Sequence, residues 1–269
     1  MGWRRGVPRG AAALRRVAVR ATRLGLLVAG GCMGHRELAS MRERRWRDFY
    51  AGPSDVDAGF LEWEERLIPR FLADGARVLV VGSGSGRDLL ALARRRHHVE
   101  GIEAVARASA LARRALAERG LDVAIHEGDV VTMALPAGPY DAVVFSWFCY
   151  TYLAERARRV GMLRRLRAVL APDARVLISY LPARDRRWGG MRLVRMVARL
   201  TRSDWSPERG DILYDDAAPG TLHFEHHFQT DEIEGEARDA GFDVAFHEHG
   251  EIGFVALTLS RAVAPARTP

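Results

Sequence analysis

The fold is decided by residues 78–88, which read Val-Leu-Val-Val-Gly-Ser-Gly-Ser-Gly-Arg-Asp. A β-branched, apolar run stops at a turn that contains Gly82, Gly84 and Gly86, and a helical pattern starts at Asp88. Glycine allows a sharp turn and a close approach of the backbone to a ligand. The N-terminus of the helix that follows offers free N–H groups to an anionic group. This order predicts the first strand–turn–helix unit of a nucleotide-binding α/β fold.

The spacing of the glycines restricts the ligand. The turn reads G-x-G-x-G, whereas a dinucleotide-binding turn reads G-x-G-x-x-G. A phosphate-binding P-loop needs a lysine, and this chain contains none. The glycines alone leave one alternative open, which is a turn with a purely structural purpose.

The positive charge of the chain is concentrated at its N-terminus. Residues 1–47 contain twelve arginines against two acids, whereas residues 48–269 contain 29 arginines against 32 acids. The basic character therefore belongs to an arm on a near-neutral domain, which argues against a nucleic-acid groove across the domain. The two cysteines, Cys32 and Cys149, form neither a disulfide framework nor a zinc site, so we expect a reducing compartment.

The chain divides into three parts. Residues 1–36 form the basic arm, which includes an apolar run at 24–31 that is too short to span a bilayer. The arm can be a secretory signal, a disordered start, or a helix on an anionic membrane surface. Residues 37–261 form the main domain with a lid insertion at 182–228, and residues 262–269 are predicted to be a disordered tail. We expect a cytoplasmic protein, with membrane contact limited to a peripheral one through the arm.

Four further strands follow the glycine turn and alternate with helices, at residues 99–103, 123–125, 141–145 and 175–180. This alternation predicts a parallel sheet with right-handed crossovers. Ligands bind at the carboxyl ends of such strands. Glu103, Asp129 and the ring-rich segment 146–152 all follow strand ends, so we expect them to line one site.

The insertion and the C-terminal segment do not follow this alternation of strands and helices. Residues 190–202 predict a helix with one arginine stripe, which is either a solvated face or a contact for an anionic substrate or membrane. Residues 205–220 are predicted to be irregular. A helix from Thr230 to Ala240 then precedes two strands, 242–248 and 254–259, which form an antiparallel hairpin.

Together these features resemble the class I S-adenosylmethionine-dependent methyltransferases over residues 60–260. The motifs that carry the resemblance are residues 78–96, Glu103, Asp129, residues 141–146 and the terminal hairpin. The resemblance implies a Rossmann-like, doubly wound, seven-stranded and mostly parallel sheet whose last strand inserts antiparallel between two others. It also implies S-adenosyl-L-methionine as the cofactor.

The resemblance assigns cofactor contacts position by position. The backbone of Gly82, Ser83, Gly84 and Gly86 would approach the methionine part, and Glu103 would hold the ribose hydroxyls. The adenine amino group would reach Asp129, with a backbone contact from Val130. Ser146 would border the methyl-donor end.

The acceptor is less specified. Residues 146–149, Ser-Trp-Phe-Cys, stand where nucleic-acid and protein amide methylases have Asn/Asp-Pro-Pro-Tyr, which favours a small-molecule or lipid acceptor methylated on oxygen or nitrogen. We predict that Trp147, Tyr150 and Tyr50 contact this acceptor. A hydroxyl acceptor would need a base, for which His226 and His227 are the candidates. The nearby histidine spacing does not predict a metal site, and the oligomeric state is left open.

Two other functions remain compatible with the sequence. A nicotinamide-dependent oxidoreductase would share the first strand and turn, although the glycine spacing and the terminal hairpin disfavour it. A non-catalytic module that binds S-adenosylmethionine would share every cofactor motif.

Overall fold

The computed structural model of the protein describes residues 7–50, 55–183, 190–215 and 222–260. The predicted tail at 262–269 and the first six residues of the arm lie outside this part of the chain. The strands are β1 (Arg77–Val81), β2 (His98–Glu103), β3 (Ile125–Glu127), β4 (Tyr140–Phe145), β5 (Leu170–Tyr180), β6 (Asp211–Asp215), β7 (Leu222–His226), β8 (Phe242–His249) and β9 (Gly253–Leu259).

Three α-helices precede β1, and five others lie between strands. They are α1 (Val7–Cys32), α2 (His35–Phe49), α3 (Glu62–Leu67), α4 (Arg87–Arg94), α5 (Ala106–Ala117), α6 (Arg156–Leu166), α7 (Met191–Thr201) and α8 (Glu232–Ala240). Short 3-10 turns occupy residues 56–58, 68–71, 149–152 and 167–169.

Seven strands form the central sheet in the order β3-β2-β1-β4-β5-β9-β8. The first five pair in parallel, and β9 lies antiparallel between β5 and β8. The predicted fold class is therefore confirmed, including the inserted last strand. The short connections force each crossover helix onto a face of the sheet, which leaves the strand ends free for a site.

The alternating side chains of β1 show how the sheet separates two cores. Leu79 and Val81 face a cluster with α6 and α8, whereas Val78 and Val80 face a cluster with α4 and α5. All four side chains are buried, because a parallel strand covered by helices on both faces exposes neither side. This explains why the run at 78–81 is uniformly apolar.

The N-terminal arm contacts the insertion through its last residues. The Thr201 hydroxyl at the end of α7 donates a hydrogen bond of 3.0 Å to the carbonyl of Gly31, and the Ser203 hydroxyl donates to the carbonyl of Met33. Leu27 packs beside Gly190 at the start of α7. Among the helices that the structure describes, none combines the length and the apolar character needed to cross a membrane.

Two predicted elements need correction. The third strand begins at Ile125 rather than at residue 123, because its pairing with Gly101 to Glu103 sets its position. The segment predicted to be irregular contains β6, which pairs antiparallel with β7 from Asp211 and His226 to Asp215 and Leu222. This strand is short and has an aspartate at each end, a residue depleted in strands, so the sequence did not indicate β6.

A glycine in the terminal hairpin offers a test of this packing. Gly253 pairs with Tyr180 across β9 and β5, and a Cβ atom at Gly253 would overlap the Tyr180 ring. We expect Gly253→Ala to lower the free energy of unfolding by about 1–3 kcal/mol, as overpacked core sites do. Urea denaturation followed by circular dichroism measures this change.

The matched control is Gly250→Ala in the same hairpin, because the nearest atom to an added Cβ there is 3.8 Å away. Its stability should stay within about 0.5 kcal/mol of wild type. Equal effects of the two substitutions would contradict the predicted overlap at Gly253.

Candidate functional site

A cavity of about 270 Å³ lies at the carboxyl ends of the parallel strands. Its floor is formed by the glycine turn after β1, the end of β2, the turn after β3 and the segment after β4. The C-terminal half of α2 contributes its roof. The cavity therefore sits at the edge of the sheet where the sequence predicts a site.

The glycine turn presents bare backbone to the cavity. Gly82 and Gly84 have φ angles of 71° and 56°, in the left-handed region that favours glycine. A Cβ atom at Gly82 would lie 2.7 Å from the Cβ atom of Cys149, so a side chain does not fit there. The N–H groups of Gly82 and Ser83 donate to the carbonyl of Ile102 at 2.9 and 3.1 Å, which ties the turn to β2.

The Glu103 carboxylate at the end of β2 is held by two backbone N–H groups. Its Oε2 atom accepts a hydrogen bond of 2.7 Å from Gly84, and its Oε1 atom accepts one of 2.8 Å from Val105. Burial raises the pKa of this carboxyl, and the two N–H groups oppose that shift. Each oxygen keeps a lone pair beyond these bonds, so the carboxylate can also accept from two vicinal hydroxyls of a ligand.

The Asp129 carboxylate lies after β3 and pairs with the roof. Its Oδ1 atom accepts from the N–H of Val131 at 2.9 Å, and its Oδ2 atom accepts from Arg42 of α2 at 2.7 Å. Burial would raise the pKa of Asp129, but the charge of Arg42 outweighs it and holds the pKa below its usual value. Arg42 thus joins α2 to the floor of the cavity.

Aromatic rings form the wall opposite the carboxylates. Trp46 lies 5.3 Å from Tyr152 and 6.1 Å from Trp147, measured between ring centroids, and Phe49 lies 5.9 Å from Trp147. Trp147 is 38% exposed and Phe49 is 43% exposed, so the wall reaches the solvent. Rings at these separations leave faces and edges available to a flat apolar ligand.

The segment that positions Trp147 has strained backbone geometry. Trp147 and Phe148 have φ angles of 33° and 60°, which bulky residues rarely adopt. The N–H of Phe148 donates to the Ser179 hydroxyl at 3.0 Å, and the Cys149 thiol donates to the carbonyl of Val81 at 3.1 Å. Strain held by such surrounding contacts is typical of functional sites.

A chain of charged groups closes the side of the cavity next to α4. The Ser146 hydroxyl donates to Asp88, and Arg87 donates to Asp88 at 2.7 Å and to Glu64 at 2.6 Å. Burial, and next the charge of Asp88, raise the pKa of Glu64 to about 7. These contacts fix Ser146 at the end of β4.

Most of the predicted site residues line this cavity. They are Gly82, Ser83, Gly84, Glu103, Asp129, Val130, Ser146, Trp147 and Tyr50. Tyr50 lies against Gly84, on the side of the glycine turn. Their roles in binding remain predictions.

Two predicted site residues lie outside the cavity. Gly86 begins α4 with a φ angle of 97°, and a Cβ atom there would lie 3.2 Å from Ala112, so this glycine allows α4 and α5 to pack. Tyr150 is fully buried, and its hydroxyl donates to Glu236 at 2.7 Å. A residue with this environment cannot contact an acceptor without leaving the core.

The two histidines predicted to act as a base are also absent from the described lining of the cavity. His226 is fully buried, and its Nδ1 and Nε2 atoms contact Asp211 at 2.7 Å and Glu232 at 2.9 Å. His227 contacts Glu225 at 2.9 Å. Because both ring nitrogens of His226 are occupied, the structure gives this residue no free position for accepting a proton from an acceptor.

His226 belongs to a buried network that joins the insertion to α6 and α8. Arg159 contacts Glu236 at 2.6 Å and Glu208 at 3.2 Å. Within the described chain, Glu208, Asp211 and His226 are close enough to share a cation, but the Arg159 guanidinium already supplies positive charge to this cluster. The network therefore holds the fold together at this point.

The residues that line the cavity from α2 and α4 were not predicted from the sequence. Arg42, Trp46 and Phe49 line it from α2, and Arg87 and Asp88 line it from α4. Trp46 and Phe49 carry no distinctive signal in the sequence, because the spacing of aromatic residues on a helix is the same for a buried face and a cavity wall. The Arg42–Asp129 contact joins residues 87 positions apart and has no local signal.

The His226 network predicts a specific pH dependence of stability. Burial would lower the pKa of His226, but the hydrogen bonds to Asp211 and Glu232 outweigh it and raise the pKa from its ordinary 6.5 to about 9. A pKa that is higher in the folded state contributes stability below about pH 6.5, and this contribution is lost as the pH rises through about 9. We expect that in His226→Gln this pH-dependent loss of the free energy of unfolding is absent.

Urea unfolding of wild type and variant between pH 6 and pH 10 measures the difference. His227→Gln is the matched control, because His227 is less buried and pairs with one carboxylate. Parallel pH profiles of wild type and His226→Gln would show that His226 is not protonated in the fold.

Comparisons with known proteins agree with this geometry. A family model described as a methyltransferase domain matches residues 78–173. A demethylmenaquinone methyltransferase from Thermus thermophilus is 31% identical over 125 residues, which are 45% of this chain and 55% of that protein. The chain thus spans about half the length of this curated relative.

Solved structures share the fold at low sequence identity. One is a 1,6-didemethyltoxoflavin-N1-methyltransferase from Burkholderia thailandensis, with a TM-score of 0.63 and 18% identity over 85% of this chain and 92% of that one. Another is an S-adenosylmethionine-dependent methyltransferase from Methanosarcina mazei, with a TM-score of 0.57 and 21% identity over 76% of this chain and 100% of that one. Residues 78–173 thus match a methyltransferase domain, and the chain shares the fold of S-adenosylmethionine-dependent methyltransferases, in agreement with the resemblance seen in its sequence.

Proposed function

We propose that the protein transfers a methyl group from S-adenosylmethionine to an oxygen or nitrogen of a small molecule with a flat, largely apolar ring. One observation carries this proposal. A single cavity joins a carboxylate held for vicinal hydroxyls, Glu103, to a wall of aromatic rings around Trp147. The first half suits the cofactor and the second half suits a ring.

The charges around the cavity favour a cationic ligand. Four carboxylates line it, from Asp55, Asp88, Glu103 and Asp129, against the guanidinium groups of Arg42 and Arg87. S-adenosylmethionine, the cofactor of this class, supplies a methyl group on a positively charged sulfur. The described residues thus fit the cofactor both by charge and by the bare backbone of the glycine turn.

The names of two relatives support a ring acceptor. The Thermus relative is named for demethylmenaquinone, and the Burkholderia structure contains 1,6-didemethyltoxoflavin with S-adenosylhomocysteine. Both named compounds contain fused rings. The rings of Trp46, Trp147 and Tyr152 would bind such a compound by stacking and edge contacts, and the Trp147 end of the cavity would border the transferred methyl group.

Positioning is the main contribution that these residues can make. Among the described residues that line the cavity there is no histidine. Burial raises the pKa of Tyr50 and Tyr152, so both keep their protons at neutral pH. We therefore expect an acceptor atom that needs little activation, such as a ring nitrogen or an acidic ring hydroxyl, and a site that aligns it and excludes water.

Replacing the Glu103 carboxylate tests whether this part of the cavity binds the cofactor. We expect Glu103→Gln to weaken S-adenosylhomocysteine binding by tenfold or more, because hydrogen bonds to a charged acceptor contribute about 1.5–3 kcal/mol each. Calorimetric titration of the purified protein measures this, with NAD as a control ligand. Binding of NAD instead of S-adenosylhomocysteine would favour the oxidoreductase.

Glu127→Gln is the matched control. Glu127 pairs with Glu103 across β3 and β2, at the same sheet edge, but does not line the cavity. Its affinity for S-adenosylhomocysteine should stay close to wild type. Similar losses in both variants would mean that Glu103 acts through the fold rather than through the cofactor.

Truncation of Trp147 tests the acceptor half. With naphthoquinols and fused-ring nitrogen heterocycles as trial acceptors, we expect Trp147→Ala to raise KM about tenfold, equivalent to ~1.4 kcal/mol of lost ring contact. Trp147→Phe keeps a ring and should stay near wild type. Methyl transfer to such acceptors with an unchanged KM in Trp147→Ala would contradict this assignment, and binding of S-adenosylhomocysteine without turnover on any acceptor would favour the non-catalytic module.

A further inference from the structure

We propose that α1 and α7 form a docking surface for an anionic phospholipid bilayer. The surface consists of the outer stripe of α1, defined as Leu14, Val17, Ala21, Leu24 and Val28, together with Met196 and Leu200 of α7. Arginines of both helices surround these apolar side chains. The proposal goes beyond methyl transfer, since it assigns a partner to a part of the chain that the cavity does not use.

Most of α1 is not packed against the protein. Every side chain described between Ala13 and Gly25 is exposed. Near its C-terminal end α1 contacts the insertion, where Gly30 lies against Leu213 of β6 and Gly31 lies against Val197 of α7. Residues 13–25 span about 20 Å of this helix, and none of their described side chains is buried against the domain.

Four of the five large apolar side chains described as exposed on α1 follow one side of the helix, and Val19 lies off that side. The members of the outer stripe are separated by three or four residues, which is the spacing of one helical face. Leu14 is 76% exposed, Val17 65% and Leu24 54%. Most of the stability of a helix comes from packing of its apolar face, so an apolar side that faces solvent indicates a missing apolar partner.

The α7 helix, which lies beside α1, also exposes large apolar side chains. Leu200 is 76% exposed and Met196 is 53% exposed. The two helices are locked together where Thr201 bonds to the carbonyl of Gly31 and where a Cβ atom at Gly31 would overlap Val197. Met196 and Leu200 therefore lie beside the C-terminal, packed end of α1.

Charge selects the partner. Within residues 7–32 there are five arginines and no acid, and within residues 191–201 there are three arginines and no acid. Described arginine side chains at both places, Arg15, Arg20, Arg192 and Arg199, are exposed. Two copies of this surface would repel each other, whereas the headgroups of an anionic bilayer would attract its arginines. Apolar residues flanked by arginine are typical of helices that lie in a bilayer interface.

Docking would also orient the cavity relative to the bilayer, through α2. Only Met33 and Gly34 separate α1 from α2, whose other end supplies Trp46, Phe49 and Tyr50 to the cavity. If the proposed function holds, the acceptor is a ring compound that dissolves in the bilayer and enters from it. This consequence rests on the proposed function, whereas the docking itself does not.

The test measures binding of the full chain to vesicles by co-sedimentation, using phosphatidylcholine with 30% phosphatidylglycerol and phosphatidylcholine alone. Wild type is compared with Leu14→Gln/Leu24→Gln and with the control Ala18→Gln/Thr22→Gln, which places two glutamines elsewhere on the same exposed segment. We expect binding to the anionic vesicles, a loss of about tenfold or more in the leucine variant, and a change within twofold in the control. Raising the salt to 0.5 M should weaken binding by a further factor of ten or more.

Three outcomes would overturn the proposal. They are no binding of wild type to anionic vesicles, equal binding by wild type and the leucine variant, and a wild-type dimer in sedimentation velocity that the leucine variant loses. Circular dichroism and S-adenosylhomocysteine titration of each protein run in parallel. Intact S-adenosylhomocysteine binding without vesicle binding would refute the docking alone, and vesicle binding without S-adenosylhomocysteine binding would refute the cofactor assignment alone.

Discussion

The candidate site depends on the two hydrogen bonds that the Glu103 carboxylate accepts from Gly84 and Val105. They connect three elements, namely the glycine turn, the end of β2 and the start of α5. A buried carboxylate without these donors would be strongly unfavourable, so the turn and the strand end hold each other in place. The side chain that would hold the ribose is thus the same one that fixes the turn next to it.

The roof of the cavity is held by a different balance of forces. The Arg42–Asp129 pair is partly exposed, at 22% and 25% of the two side chains, and such pairs contribute only about 0–1 kcal/mol. Apolar packing contributes more, because Leu38 and Met41 of α2 are buried against Trp205, Leu213 and Phe224 of the insertion. The pair therefore orients α2, whereas the insertion carries most of its stability. The insertion thus acts on the cavity indirectly, by supporting the roof.

The parts of the fold that the sequence predicted are those with local causes. The patterns that located β1, Glu103 and Asp129 each lie within a few positions of the chain. They are a run of apolar residues, three glycines and an acid at each strand end. The roof and the charged network around His226 depend on contacts between distant segments, such as that of Arg159 with Glu236. A histidine beside an aspartate in space has the same local sequence whether it is catalytic or buried. The residues that line the cavity from the sheet could therefore be predicted from the sequence, whereas those that line it from α2 could not.

The buried charges around Arg159 explain why the histidines of the insertion have a structural environment. Glu236 and Arg159 are both fully buried, and breaking such a pair leaves an uncompensated charge that costs about 3–5 kcal/mol. His226 and Asp211 extend this network to the hairpin of β6 and β7, which carries Phe224 toward α2. A histidine that moved to the cavity to accept a proton would break this network and loosen the support of the roof. His226 is therefore poorly placed to remove a proton from the acceptor. An acceptor whose nucleophilic atom is acidic or already carries no proton does not need such a base. This is consistent with a site that works mainly by alignment and exclusion of water.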